Sequence, residues 1–103
     1  MTSNRQDVYI PSDIKLNISL TIDSLTMDEY DFKVEAYARD CVAIEKAEAK
    51  RVDANNYIIK LNTAEIGPGK LTLKAYAFIP DPDFDGGIRT EVTQVKTNIN
   101  VIQ

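Results

Sequence analysis

Apolar and polar residues alternate with a period of two in several separate stretches of this 103-residue chain. Ile14, Leu16, Ile18, Leu20 and Ile22 fall on one parity, and Lys15, Asn17, Ser19, Thr21 and Asp23 on the other. Successive side chains of a β-strand point to opposite faces, so this register predicts a strand with one buried and one wet face. A turn over residues 24–29 follows. Tyr30, Phe32, Val34, Ala36 and Ala38 then restore the pattern against Asp31, Lys33, Glu35, Tyr37 and Arg39.

Residues 44–51 carry competing signals. Ala47, Glu48, Ala49 and Lys50 favour a short helix, but two turns are marginal alone and every neighbour reads as strand. One strand or two short ones is the expectation. After a polar turn at 53–56, Tyr57, Ile59 and Leu61 form the next strand. Gly67-Pro68-Gly69 permits a tight reversal into Leu71, Leu73, Ala75, Ala77 and Ile79.

Residues 80–87 read as a loop, and Val95, Ile99 and Val101 mark the last strand region. Val92 has the opposite parity, so a bulge or bend between Val92 and Val95 is expected, giving two strands or one long bent one. The sum is an all-β, antiparallel two-sheet β-sandwich of immunoglobulin or fibronectin type with about seven strands. Residues 1–12, mostly polar and broken by Pro11, read as an N-terminal arm, and 13–103 as a single domain.

Composition narrows the function classes. Sixteen acidic against twelve basic side chains give a formal charge of -4, opposite to the footprint of a nucleic-acid binder. The first ten residues lack a secretory pattern and no apolar run is long enough to span a bilayer, so no membrane association and synthesis in a cytoplasm are expected. The single cysteine, Cys41, has no intramolecular partner and reads as a small buried thiol. With no histidine in the chain, Ser/His/Asp and Cys/His catalysis and the usual zinc sets are closed. No catalytic residue, metal or cofactor is expected, and an enzyme is the weakest class.

Three local patterns bear on chemistry. Asp81-Pro82-Asp83-Phe84-Asp85-Gly86-Gly87-Ile88 matches the first half of an EF-hand loop, but its twelfth position is Val92, with Glu91 one residue early. A calcium site built otherwise on Asp81, Asp83 and Asp85 is the sharper reading, and an acidic turn at a strand junction the plainer. Asn17-Ile18-Ser19 is a formal glycosylation sequon inside a strand and is read as chance. Tyr37, Tyr76 and Phe78 fall on the nominally polar faces of their strands: they form either a binding patch or a face covered by another element.

The order of landmarks resembles a group of small sandwich proteins encoded by tailed phages of gut Bacteroidetes, including crAss-like phages. The resemblance rests on Ile10-Pro11-Ser12-Asp13, Asp31-Phe32-Lys33-Val34, Gly67-Pro68-Gly69-Lys70-Leu71, Ile79-Pro80-Asp81 and residues 83–91, and covers nearly the whole chain. It implies a structural virion protein on the capsid surface, an auxiliary (decoration) protein that binds HK97-type major capsid subunits, reinforcing the shell or seating a head-fibre protein, with self-association on the shell as a further option. Val8, Tyr9, Ile10, Phe84, Ile88 and Arg89, mostly apolar groups in irregular polar segments, are the candidate protein contacts. A tail or baseplate adaptor and a carbohydrate-binding adhesin, stacking sugars on Tyr37, Tyr76 and Phe78, are the alternatives.

Overall fold

The computed structural model describes residues 6–103. Among the described residues there are eight strands, β1 (Gln6–Tyr9), β2 (Asp13–Ile18), β3 (Asp31–Tyr37), β4 (Cys41–Glu45), β5 (Lys50–Asp53), β6 (Asn56–Asn62), β7 (Gly69–Pro80) and β8 (Ile88–Ile102). They form a five-stranded sheet, ordered β1-β8-β7-β3-β4, and a three-stranded sheet, β2-β6-β5. The all-β, two-sheet expectation holds, with eight strands in place of about seven. All pairings are antiparallel except β1 with β8, which is parallel.

The additional strand comes from the expected arm, whose residues 1–5 lie outside the described residues. Gln6 to Tyr9 run beside Ile99 to Ile102, and Val8 and Ile10 pack against the core. A buried threonine fastens the link into β2. The Thr63 hydroxyl donates to the Tyr9 carbonyl at 3.2 Å and accepts from the Ser12 N–H at 2.9 Å, while the Thr63 N–H donates to the Ser12 carbonyl. A buried hydroxyl with both capacities used stabilises this connection and gives the segment a fixed path.

The alternation was right about faces and too generous about strand length. β2 ends at Ile18; Leu20 and Ile22 still pack inward, but on irregular backbone. Asp23 and Ser24, both at positive φ, make the tight turn closed by the Leu25 N–H to the Ile22 carbonyl at 2.8 Å. Residues 44–51 resolve into the end of β4, a single 3-10 turn at Lys46–Glu48 and the start of β5. Those two strands lie in different sheets, so the turn is the crossover between layers. Gly67 has φ 74°, a left-handed backbone that side chains with a Cβ rarely adopt, so the reversal before β7 needs its backbone freedom.

The core lies between the sheets and centres on Phe32, fully buried, whose ring meets Tyr57 edge-on at 5.1 Å and Tyr30 at 6.5 Å. Val34, Ala36, Ile59, Leu71, Ile79 and Val101 complete it from both layers. β8 does contain an irregularity, but opposite Lys70–Thr72, between Lys96 and Asn100. Val92 to Val95 stay in unbroken register with Tyr76 to Leu73, so Val92 faces outward and no bend intervenes. Because β7 and β8 are twelve and fifteen residues long, the molecule is elongated, 46 × 28 × 24 Å.

Candidate functional site

The six candidate contact residues fall at two opposite ends of the molecule. Val8, Tyr9 and Ile10 lie beside Val101 and Ile102 at one end of β8, whereas Ile88 and Arg89 open the other end and Phe84 sits in the loop before it. At 3.3 Å per residue the two groups are about 40 Å apart along the strand. Tyr9, Phe84 and Ile88 are exposed. Val8 and Ile10 are half-buried against the core, so Tyr9 alone of the first group offers a full side chain to a partner.

The loop at the far end is ordered by its own hydrogen bonds. The Asp81 N–H donates to the Gly87 carbonyl at 2.8 Å, the Gly87 N–H to the Phe84 carbonyl at 2.9 Å, and the Asp83 N–H to the Asp81 carboxylate at 3.0 Å. Arg89 binds this loop to the rest of the fold. Its guanidinium donates to Asp81 at 2.8 Å, pairs with Glu91 at 2.8 Å, and reaches Asp23 in the turn after β2. The bond to Asp23, then the charge of Asp23 and Glu91, hold its pKa above the ordinary arginine value. The Arg89 Nε–H is buried and has no hydrogen-bond partner among the described residues. Arg89 therefore acts as a clamp inside the chain, next to the exposed side chains of Phe84 and Ile88.

The same geometry accounts for the acidic turn. Asp81 is engaged by Arg89 and by the backbone of Asp83. Among the described residues no group of three or more acidic, cysteine or histidine side chains is arranged to hold a metal ion. Nor is Cys41 buried as expected: it stands exposed on the outer face of β4, opposite Tyr37, because the β3–β4 register aims that parity away from the core.

The outer face of the large sheet gathers the aromatics that the alternation put on the polar side. Tyr76 lies opposite both Lys33 and Val92, and Phe78 opposite Asp31 and Thr90, with Ile88 diagonal to Phe78. Tyr76 is engaged on both counts that a sugar would need. Its hydroxyl donates to Glu35 at 2.8 Å, and the ammonium groups of Lys33 and Lys74 sit 4.8 and 5.7 Å from its ring centre. Tyr37 lies opposite Thr72, four residues along β7 from Tyr76 and so about 13 Å away. The three aromatics share a face without forming one platform.

A second polar constellation was not read from the chain. Asp28 receives Arg51 through two nitrogens at 2.7 and 2.9 Å and the Tyr57 hydroxyl at 2.5 Å. These bonds, the one to Arg51 first, lower its pKa from the ordinary 3.8 to about 2, while burial pushes Tyr57 up. Beside it the Lys46 ammonium donates to the carbonyls of Tyr30 at 2.7 Å and Met27 at 3.0 Å and lies over the rings of Phe32 and Tyr57. This network ties the 3-10 turn Met27–Glu29, which precedes β3, to the crossover between layers, a structural task. Its members are far apart in sequence and carry no motif.

No family model, no curated protein and no solved structure matches the chain.

Proposed function

We propose that the chain is an auxiliary capsid protein of a tailed phage, an immunoglobulin-like sandwich that bridges neighbouring major capsid subunits on the outside of the shell. The observation that carries the reading is the placement of exposed contact residues at the two ends of one rigid body: Tyr9 at one, Phe84 and Ile88 at the other, on a molecule 46 Å long. A bridging protein gains from this arrangement, since two weak contacts joined by a stiff spacer act as one strong attachment on a repeating lattice. The order of strands supports the immunoglobulin-like part, with β2, β6 and β5 opposite a sheet in which β4, β3, β7 and β8 follow one another and β1 adds in parallel to the last.

The covered ring of Tyr76 and the separation of Tyr37 weigh against the adhesin. A tail or baseplate adaptor would use the same body in fewer copies. The test is binding of purified chain to shells stripped of it. Tyr9→Ala and Phe84→Ala should each weaken attachment about tenfold, the loss of one contact of roughly 1.4 kcal/mol, with melting temperature nearly unchanged. Full attachment by the double variant would contradict the bridging role, and binding of the chain to a glycan array would move the function to the adhesin. Point substitutions are required here because β1 is part of the sheet, and removing it would expose core as well as a contact.

A further inference from the structure

Beyond its contact with β1, β8 has an open edge. β1 covers only Ile99 to Ile102, and among the described residues no strand lies beside residues 88–96. The hydrogen-bond pattern shows which groups point there. The Asp81 N–H donates to the Gly87 carbonyl at 2.8 Å, one residue beyond the Pro80–Ile88 end of the β7–β8 ladder and in its register, and bonded positions alternate along an antiparallel ladder. Arg89, Glu91, Thr93 and Val95 therefore turn their backbone groups to β7, and Ile88, Thr90, Val92, Gln94 and Lys96 turn theirs outward.

Natural sheets blunt such edges with charge, proline, bulges or short length. The open part of β8 has no proline; its inward-pointing charges, Arg89 and Glu91, pair with each other within the chain, and its only outward-turned charge is Lys96, at the far end where the irregularity begins. The other strands with an open edge are shorter: four residues in β1, six in β2, five in β4 and four in β5, the last with its own irregularity.

We infer that a second copy of this chain adds to the open edge of β8, antiparallel and related by a two-fold axis at Thr90, joining two large sheets into one. Residues 88–92, Ile-Arg-Thr-Glu-Val, are complementary to themselves when reversed. With Thr90 opposite Thr90, Ile88 meets Val92 of the second copy on the outer face and Arg89 meets Glu91 on the inner face, each twice. Sliding the axis to Val92 sets Ile88 against Lys96 on the outer face and loses the apolar pairs, while Arg89 keeps Asp23, Asp81 and Glu91 of its own chain in either register. The Thr90 register exchanges about six backbone hydrogen bonds, two for each bonded pair, against about ten with the axis at Val92, so the apolar Ile88–Val92 pairs are what favour Thr90. The inference stands apart from the virion reading, because it concerns the purified chain.

Two measurements on purified full-length chain test it. In sedimentation equilibrium the apparent mass should rise toward twice the monomer as concentration increases, and Val92→Pro should abolish the rise. That proline removes an N–H aimed at the open edge and spares the ladder with β7. Circular dichroism on the same sample checks that the variant is folded. In a Cys41→Ser background, Thr90→Cys should then form an inter-chain disulfide on mild oxidation, since bonded pairs hold their Cα atoms about 5.5 Å apart. Gln94→Cys, about 27 Å from its mate in this register, should not. A parent chain monomeric at every concentration, a dimer that persists in folded Val92→Pro, or equal linking at both positions would overturn the proposal.

Discussion

In the C-terminal half of β8, Ile99 and Val101 are 8% and 1% exposed; in the N-terminal half, Val92 and Val95 are 49% and 47% exposed. The side chains are alike in both halves, but Ile99 and Val101 share the inner face, whereas Val92 and Val95, three residues apart, point to opposite faces. For Val95, which shares the inner face, what differs is coverage. β1 lies along the edge beside Ile99 and Val101, and the core fills in beneath them. Val92 faces outward, and Val95 sits at the mouth of an apolar crevice lined by Ile18, Leu20, Val34, Leu73 and Ala75, beside the place where β2 stops. Alternation thus decides which way a side chain points, and the presence of a neighbouring layer decides whether it is buried. The covered half contributes to stability, and the uncovered half is available for contact.

Substitutions can break this division. Phe32→Ala, at the centre of the covered region, should cost about 3–5 kcal/mol in denaturant unfolding, enough to threaten folding of a domain this size. A loss below about 1 kcal/mol would mean that the two sheets do not share one core there. Ile99→Ala should cost about 2 kcal/mol, the lower part of the usual range for such truncations, while Val92→Ala on the same strand should stay within about 0.5 kcal/mol, as exposed sites do. Equal losses at the two positions would erase the comparison.

Acid titration sharpens it from another side. The Asp28 pKa is lowered from 3.8 to about 2 by Arg51 and Tyr57. A carboxylate whose folded pKa is depressed contributes stability that is complete above the unfolded value and is lost as pH falls through the folded one. The parent should therefore lose stability relative to Asp28→Asn between about pH 4 and pH 2, with the difference between them constant at higher pH. Parallel stability curves across that window would show that the Asp28 cluster does not stabilise the crossover. The smallest effect is expected from Val92→Lys, within about 0.5 kcal/mol in the monomer, though it should oppose pairing at the β8 edge.

Much of the fold could be read from the chain because β3, β6 and β7 are covered on one face along most of their length, so parity and burial coincide. Phe32, Val34 and Ala36, or Leu71 through Ile79, needed only their period. β1 was missed because its sequence is polar and its place depends on a backbone pairing with residues more than ninety positions away and on the buried hydroxyl of Thr63. The irregularity in β8 was misplaced for a related reason. By parity alone Val92 reads as a core residue out of step; in the fold it is an outward residue in step. Among the candidate contacts, composition singles out Phe84 and Ile88 as apolar groups in a polar setting. It did not reveal that Arg89 is held by Asp23, Asp81 and Glu91, a convergence that only the folded turn after β2 creates.

The proposal that this sandwich serves as a repeated contact element of a phage shell is tested by quantitative mass spectrometry of purified virions of a tailed phage whose genome carries the sequence, scaled to the major capsid protein. An auxiliary shell protein should be present in a near-stoichiometric, fixed ratio to that subunit. A few copies per particle would move the chain to the tail or baseplate, and its absence from intact virions would contradict the account.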